Sequence, residues 1–220
     1  TSSAASDVYK RQLITIGSTR EYIDPVRYIS NESSGRQGMA LIKSLLKSNY
    51  KIICLHGYIQ VKQIVSKNVK YIFTSSAKDM LKEAKKYKSV DLGIFNAAVG
   101  DYKVEKYSKV KIKKNNGLSL RLINNPDVLK SISTGKNKPK ITVGFAYETD
   151  NVLQNAKKKL LSKNCDFIVL NYPTPKNKIF NTNYNNGILI GRSGASLKIG
   201  SVSKTIFADK IVKYLKNIKA

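Results

Sequence analysis

The sequence predicts an α/β fold in which helices flank a mainly parallel sheet. Short, continuous apolar runs recur along the chain, as expected for parallel strands that are covered on both faces. Segments with helical spacing of apolar residues separate these runs, and this alternation is typical of right-handed crossover connections. Hydrophobic residues make up 41% of the 220 residues, so the chain can form the core of one domain.

The predicted strands and helices follow one another in a regular order. The strands are residues 13–16, 51–55, 71–74, 90–95, 118–122, 141–145 and 165–170. Helices are expected after Gly35, after Ser76 with its capping partner Asp79, after Asp127, and at residues 151–163 and 204–218. The last helix is amphipathic, and its inward positions are predicted to be Ile206, Phe207, Ile211, Val212 and Leu215.

Two segments do not follow this pattern. Residues 101–117 are polar, rich in lysine and without a core face, and they predict a mobile flap. Residues 1–12 show no periodicity, and a back-translation of residues 7–12 closely matches the end of a sequencing adapter. We interpret 1–12 as a non-native leader and 13–220 as a single domain, so the natural protein is expected to extend further upstream.

The net charge of +26 suggests nucleic-acid binding when it is considered alone. However, 34 of the 40 basic residues are lysine and six are arginine, whereas base readout favours arginine. Lysine, asparagine and isoleucine are also the residues that A- and T-rich codons encode. We therefore interpret most of the charge as solvated lysine faces, with a phosphate-rich small substrate as the next explanation.

The remaining composition indicates a cytoplasmic protein. Apolar runs are too short to cross a bilayer, and no secretion signal is recognisable. Cys54 and Cys165 lie in apolar stretches and are predicted to be buried thiols in a reducing compartment. No cysteine and histidine cluster predicts a zinc site, and the single histidine, His56, is expected to be structural or exposed.

In a parallel sheet, ligands bind beyond the carboxyl ends of the strands. This rule selects residues 17–31, 96–101 and 145–149, together with Asn171. The loop that begins at Gly17, Ser18 and Thr19 leads into a helix, whose backbone N–H groups and dipole suit phosphate. It has neither the dinucleotide-binding nor the Walker pattern, so an ordinary capped loop remains open from the residues alone.

Four blocks of sequence resemble the phosphopantothenate–cysteine ligase family. Residues 19–35, TREYIDPVRYISNESSG, agree with the family pattern TREPIDPVRYISN-x-SSG. Residues 96–102 (NAAVGDY), 111–114 (KIKK) and 143–149 (VGFAYET) follow in the family's order, so the resemblance covers the chain from residue 13 onward. It implies a Rossmann-like fold and a ligase of coenzyme A biosynthesis that joins 4′-phosphopantothenate to L-cysteine through an acyl-cytidylate.

The resemblance also implies the ligands, the partners and the site residues. CTP and Mg²⁺ are expected, as are a cytoplasmic homodimer and a fused or separate phosphopantothenoylcysteine decarboxylase. Asn31, Arg27 and Lys111 match residues that act in catalysis, with Lys111 reaching the phosphates when the flap closes. The positions that match nucleotide-binding residues are Gly17, Ser18, Thr19, Ala97, Ala98, Asp101, Pro126, Asp127, Val128, Leu129, Phe145, Lys159 and Lys163. The resemblance leaves the metal ligands unknown.

Some alternatives remain open at this point. The family usually has aspartate after Asn171 where this chain has Tyr172, which puts the role of the following residues in doubt. The preference for CTP over ATP depends on the resemblance, with the block at 111–114 favouring CTP. An NAD(P)-dependent oxidoreductase would need a glycine-rich turn after the first strand and an acid after the second, and Leu55-His56 supplies no acid. A basic nucleic-acid-binding protein is the second alternative, and a catalytically inactive relative of the family, against which the retained motif residues argue, is the third.

Overall fold

The computed structural model describes residues 11–48, 50–114, 117–174 and 182–218. Its strands are β1 (Arg11–Ile16), β2 (Arg20–Tyr22), β3 (Tyr28–Ser30), β4 (Lys51–His56), β5 (Val69–Phe73), β6 (Leu92–Phe95), β7 (Tyr102–Val104), β8 (Leu122–Asn124), β9 (Ile141–Tyr147), β10 (Phe167–Asn171), β11 (Tyr184–Gly191) and β12 (Ser196–Ser203). Its helices are α1 (Arg36–Leu46), α2 (Ala77–Ala84), α3 (Val128–Ser133), α4 (Val152–Ser162) and α5 (Lys204–Lys216).

Eight strands form one sheet in the order β12-β11-β10-β9-β6-β1-β4-β5. The six strands from β10 to β5 are parallel, and β11 and β12 add an antiparallel hairpin at one edge. The chain starts in the middle at β1, proceeds outward to β4 and β5, and then continues on the other side of β1 with β6. The sheet therefore has its topological switch point between β1 and β6, where ligands bind in folds of this kind. This architecture confirms the predicted α/β class.

Helices cover both faces of the sheet. On one face α1 packs against α5, and the two bury Leu41, Ile42, Leu45 and Phe207 completely against β1 and its neighbours. On the other face α2 and α3 contribute Met80 and Val128 to a second cluster. Burying one large apolar side chain contributes about 1.5–3 kcal/mol, so these clusters hold the strand ends in fixed positions.

Most predicted elements are confirmed, and some details are wrong. Ser76 and Asp79 form the predicted capping box of α2, and Asp127 caps α3 by accepting a hydrogen bond from the Lys130 N–H at 2.9 Å. The predicted strand at 118–122 is wrong, because β8 begins only at Leu122. Ile206 is 48% exposed, so its predicted inward position on α5 is wrong, whereas Phe207 and Ile211 are buried.

The predicted flap is more ordered at its start than its composition suggests. β7 pairs with β8 in an antiparallel ladder, and Val104 is 6% exposed. The prediction that 101–117 lacks a core face is therefore wrong at Val104, since long-range pairing buries a side chain that has no apolar neighbours in sequence. Residues 105–114 form neither helix nor strand.

The first strand begins inside the segment that was set apart as a leader. Gln12 is 1% exposed, and the Arg11 N–H donates to the Asp91 carboxylate at 2.9 Å. Residues 11 and 12 are thus part of β1, and the division into a leader and a domain at residue 12 stays a prediction. Residues 1–10 lie outside the described residues, and their non-native origin stays a prediction.

Other features agree with the sequence. Cys54 and Cys165 are free and buried, and burial raises the pKa of both thiols, that of Cys165 to about 11. His56 has a structural environment, since its ring packs against Tyr71 and Phe73. None of the helices in the described ranges has the length and apolarity needed to span a bilayer.

Candidate functional site

A cavity of about 460 Å³ lies at the switch point of the sheet. It is bounded by the turn from Asn31 into α1, the loop after β6, and the ends of β9 and β10. Its wall consists of Asn31, Glu32, Ser33, Ser34, Gly35, Arg36, Gln37, Asn96, Ala97, Ala98, Val99, Phe145, Ala146, Tyr147, Asn171, Asn185 and Lys204. We refer to it as the main cavity.

The start of α1 presents backbone donors to the main cavity. Gly35 has φ 78° and precedes the helix without a side-chain cap. A Cβ atom at this position would lie 2.7 Å from the Ile59 Cγ2 atom, so glycine permits both the turn and the close approach. Because Gly35, Arg36 and Gln37 all line the cavity, their uncapped N–H groups and the helix dipole favour an anion there.

Two cations and one carboxylate stand in the same wall. Arg36 is exposed, and Lys204 is 9% exposed and donates to the carbonyl groups of Thr182 and Tyr184. Burial and the neighbouring Arg36 charge lower the pKa of Lys204 to about 8. Glu32 supplies the carboxylate. The positive charge near α1 suits a polyanionic ligand.

Asn31 joins two of the loops at the main cavity. Its Nδ2 donates to the Val99 carbonyl at 3.0 Å, which connects the β3–α1 turn to the loop after β6. Ala98 donates its N–H to the Gly17 carbonyl at 2.7 Å and thereby fixes the same loop to the end of β1. The small side chains of Ala97 and Ala98 leave room for a ligand beside the backbone.

The far wall was only partly predicted. Phe145 lines it as expected, next to Asn171, whose Oδ1 is buried without a hydrogen-bond partner in the described structure. Asn185 is 1% exposed and donates to Gln37 Oε1 at 2.9 Å. Asn185 and Lys204 were not singled out from the sequence, because a polar strand residue and one of 34 lysines carry no local signal.

The loop after β1 supports the main cavity without lining it. A Cβ atom at Gly17 would lie 2.6 Å from the Tyr58 carbonyl oxygen, so this glycine allows two chain segments to cross closely. Thr19 is fully buried, and its Oγ1 accepts a hydrogen bond from the Gly100 N–H at 2.9 Å. The Thr19 hydroxyl therefore serves the loop, and the nucleotide contact of Thr19 stays a prediction. Ser18 lines a neighbouring cavity of about 270 Å³.

A second group of predicted residues gathers around α3 and α4. Lys163 forms an ion pair with Asp127, and Lys159 Nζ lies 2.7 Å from Glu148 Oε1. Val128 is 4% exposed and belongs to the core, so only its backbone could contact a ligand. Leu129 packs beneath β9, where a Cβ atom on Gly144 would meet it at 2.6 Å. Pro126 precedes them, partly buried. None of these residues is in the wall of the main cavity.

A third group contains Arg27 and Lys111. With residues 112–114, Gly117 and Leu118 they line a surface concavity of about 360 Å³ that is separate from the main cavity. Lys111 is exposed. Asp101 is also exposed and lies outside the walls of both cavities. Its backbone carbonyl accepts a hydrogen bond from the Asn125 N–H at 2.8 Å. The structure therefore brings Asn31, Ala97, Ala98 and Phe145 together and leaves Arg27 and Lys111 apart from them.

Asp24 fixes the flap to the loop between β2 and β3. Its buried carboxylate accepts from the Arg27 Nε at 2.9 Å and from the Ile112 N–H at 3.1 Å, and Arg27 Nη2 donates to the Ile112 carbonyl at 2.7 Å. Burial alone would raise the pKa of Asp24. The hydrogen bonds from the Arg27 side chain and from the N–H groups of Val26, Ile112 and Arg27 outweigh it and hold this pKa well below its usual range.

Replacing Asp24 with asparagine is expected to lower the midpoint of thermal unfolding and to expose residues 105–114 to protease. Because the folded-state pKa is lowered, the contribution of the carboxylate is complete above the ordinary Asp pKa of about 3.9 and is lost as the pH falls toward the lowered value. The difference in midpoint from wild type should be full at pH 7 and shrink below about pH 4. The exposed Asp150, changed to asparagine, is the control, and equal midpoints for all three proteins at pH 7 would contradict this role.

The main cavity offers few ligands to a Mg²⁺ ion. Within the described ranges, no three His, Cys, Asp or Glu side chains come together. Glu32 is the acidic side chain in the wall of the main cavity. Mg²⁺ in nucleotide-dependent enzymes is commonly held by one or two carboxylates together with phosphate oxygens and water. The donors present therefore fit an ion that is carried mainly by a bound nucleotide.

Comparison with known proteins identifies the family. The family described as DNA/pantothenate metabolism flavoprotein C-terminal domain matches residues 8–218. The chain belongs to this family. The predicted resemblance is thereby confirmed at the level of the domain, and the matched range includes every block of the sequence that carried it.

Members of this family with curated descriptions extend well beyond the domain. The coenzyme A biosynthesis bifunctional protein CoaBC of Borreliella burgdorferi is 35% identical over 210 residues, which are 94% of this chain and 52% of that protein. The corresponding protein of Haemophilus influenzae is 39% identical over 202 residues, 90% of this chain and 49% of that protein. The chain thus spans about half the length of the curated relatives it matches.

Solved structures agree with the domain assignment. A crystal structure of the C-terminal domain of CoaBC superposes with a TM-score of 0.77 at 31% identity and covers 94% of each chain. The DNA/pantothenate metabolism flavoprotein from Streptococcus pneumoniae gives a TM-score of 0.80 at 20% identity, covering 94% of this chain and 98% of that one. The second likeness concerns the fold alone.

Proposed function

We propose that this domain is a phosphopantothenate–cysteine ligase that uses CTP in coenzyme A biosynthesis. The observation that carries the proposal is the convergence of Asn31, Ala97, Ala98 and Phe145 on one cavity at the switch point of the sheet. These residues come from blocks of sequence that are distant from one another, and a nucleotide-sized cavity with a positive end joins them. Membership of a family whose relatives are named for coenzyme A biosynthesis supports the same reaction.

The proposed reaction has two steps. The carboxylate of 4′-phosphopantothenate attacks the α-phosphorus of CTP, the bond to the β-phosphate breaks, and pyrophosphate leaves with the electron pair. The amine of L-cysteine then attacks the carbonyl carbon of the acyl-cytidylate, CMP leaves, and the amine loses one proton. Neither step needs a nucleophile from the protein, so the residues of the chain must position the substrates and stabilise negative charge.

The described side chains suit those tasks. The Asn31 amide stands where it can donate to the acyl-cytidylate, while the uncapped N–H groups of α1 with Arg36 and Lys204 provide a positive end for the phosphates. Phe145 offers an apolar face to the nucleotide base. Mg²⁺ would neutralise phosphate charge, and Glu32 is the carboxylate in the cavity wall that would help to hold it.

Lys159 and Lys163 can contact a nucleotide phosphate only if their present ion pairs are broken. Both are held by carboxylates, and a nucleotide phosphate would have to replace Glu148 or Asp127 as their partner. Such an exchange substitutes one anion for another, so the ammonium groups keep a partner throughout. Their binding role remains part of the proposal, as does the approach of Asp101 and residues 126–129 to the nucleotide.

A solved structure with a bound ligand supports the proposed substrates. A Cab2 mutant solved in complex with phosphopantothenate-cysteine has the same fold, with a TM-score of 0.70 at 18% identity, covering 94% of this chain and 89% of that one. The relatives are described as bifunctional, which favours a phosphopantothenoylcysteine decarboxylase as a fused or separate partner. The homodimer and the cytoplasmic location also belong to this proposal, and the two free thiols suit a reducing compartment.

The purified chain is expected to form phosphopantothenoylcysteine from 4′-phosphopantothenate, L-cysteine, CTP and Mg²⁺. Mass spectrometry of the product and pyrophosphate release check this, with ATP, UTP and GTP compared in parallel. CTP should give the highest kcat/KM. No product with any of the four nucleotides, from a sample whose fold is verified by circular dichroism, would remove the proposed activity. Faster turnover with ATP would keep the ligase and correct the nucleotide.

A further inference from the structure

Arg20 occupies an unusual position beside the main cavity. Its Cζ atom lies 3.6 Å from the centre of the Tyr58 ring and 4.1 Å from the centre of the Tyr28 ring. Two aromatic rings therefore contact the guanidinium and hold it in place. The Tyr58 hydroxyl is itself fixed by contacts with the Tyr22 hydroxyl at 3.2 Å and with Ser75 Oγ at 3.4 Å.

The charge of Arg20 is not neutralised by an acid in the described structure. The ion pairs found in residues 11–48, 50–114, 117–174 and 182–218 include no carboxylate partner for Arg20. Stacking on tyrosine holds the guanidinium in place, and beyond its hydrogen bonds with the Tyr22 and Tyr58 side chains the guanidinium has further N–H donors among its five. This arrangement provides a rigid, positive group for an anion that comes from outside the chain.

Arg20 lines the neighbouring cavity of about 270 Å³, which we call the side cavity. This cavity shares Asn31, Glu32 and Ser33 with the wall of the main cavity, so the two adjoin at the turn that precedes α1. Gln60 also lines it, and the side-chain amide of Gln60 makes no hydrogen bond within the described residues. A ligand that reacts beside Asn31 can therefore extend into the side cavity.

We propose that Arg20 and the side cavity bind the phosphate group of 4′-phosphopantothenate. This inference rests on the proposed ligase function, in which the carboxylate end of the substrate reacts in the main cavity beside Asn31. The phosphomonoester dianion at the other end matches the planar donors of Arg20, and Gln60 adds a neutral donor.

The consequence is selection for the phosphorylated substrate. Hydrogen bonds to a charged group contribute roughly 1.5–3 kcal/mol, which corresponds to about 10- to 150-fold in kcat/KM. Arg20→Gln is expected to lower kcat/KM for 4′-phosphopantothenate by that factor, mainly through KM. For unphosphorylated pantothenate, and for the KM of CTP, the expected change is less than about threefold, since neither is assigned to the side cavity.

Steady-state kinetics with both substrates test the assignment. Arg121, whose side chain is 78% exposed, is changed to glutamine as the matched control and should not alter the preference for the phosphorylated substrate. Arg20→Lys keeps the charge but loses the planar donors, so an intermediate loss is expected. Equal losses for phosphopantothenate and pantothenate would show a structural role, and a raised KM for CTP would assign the side cavity to the nucleotide. Either result overturns the proposal.

A binding measurement separates this inference from the ligase activity. Calorimetric titration of wild type and Arg20→Gln with phosphopantothenate and with pantothenate needs no turnover. One outcome is that wild type makes no product and still binds the phosphorylated ligand more tightly than pantothenate. If Arg20→Gln then loses that preference, the phosphate-binding role of Arg20 is supported and the proposed ligase activity is excluded. Equal affinities of the two ligands for wild type would overturn the subsite. Should Arg20→Gln not fold, the same comparison with Arg20→Lys decides, and an unchanged preference in that folded variant overturns the assignment.

Discussion

Replacing Lys111 with glutamine is expected to lower kcat by about 100-fold or more while the fold stays intact. Lys111 is exposed in a segment without regular structure, and in this structure it lies outside the main cavity. Closing the segment over bound nucleotide would bring a charged group to the phosphates and exclude water. A contact made more strongly in the transition state than in the ground state has an effect of this size on turnover.

Two lysines provide controls for that prediction. Lys109 lies in the same segment and is exposed, and Lys86 forms a surface ion pair with Glu83. Their changes to glutamine should alter kcat less than about twofold, because exposed charges contribute little. Protease cleavage of residues 105–114 is measured in parallel, and CTP should protect the segment. Equal activity of the three variants, or a segment already protected without nucleotide, would show that Lys111 has no special role.

Replacing Asn31 with aspartate is expected to reduce kcat/KM by about 100-fold or more. The change puts a negative charge beside the developing charge of the acyl-cytidylate, and repulsion at 4 Å with an effective dielectric constant of 20 is about 4 kcal/mol before relaxation. It also removes the donor to the Val99 carbonyl. Steady-state kinetics and pyrophosphate release would report the defect in the first step.

Asn31→Ala separates the effect of charge from the loss of the donor. Alanine removes the amide without adding a carboxylate, so its loss should be smaller than that of aspartate. Thermal unfolding of both variants shows whether the connection to the loop after β6 also supports the fold. Turnover of Asn31→Asp at the wild-type rate would exclude Asn31 from the site.

The parts of the fold that depend on local pattern were predictable. Continuous apolar runs identified β1, β4, β6, β9 and β10, and the Ser76–Asp79 pair identified the start of α2. The rule for parallel sheets then identified the correct edge for the cavity. Asn31, Ala97, Ala98 and Phe145 were predicted because their blocks of sequence follow strand ends and resemble a known family.

Features that depend on long-range partners were not predictable. The pairing of β7 with β8 joins segments about 20 residues apart and buries Val104, a side chain with polar neighbours in sequence. Strand β11 is almost entirely buried but was missed because two asparagines and a glycine precede its short apolar run, and β12 was missed because most of its residues are polar or small. Lys163 pairs with Asp127 across 36 positions, and Lys204 reaches the main cavity from the start of the last helix. Such relationships arise only once the helices have packed.

The hydrogen-bonded contact of Asp24 with Arg27 and Ile112 has a consequence for kinetics. A single carboxylate restrains two segments that are 88 positions apart in sequence, so displacing one of them strains the other. Changes at Arg27 and in residues 111–114 should therefore be non-additive, and a double-mutant cycle between them should give a coupling energy of about 0.5–3 kcal/mol. A substrate that draws Arg27 toward itself would release Ile112, and binding at one loop would set the rate at which the other closes.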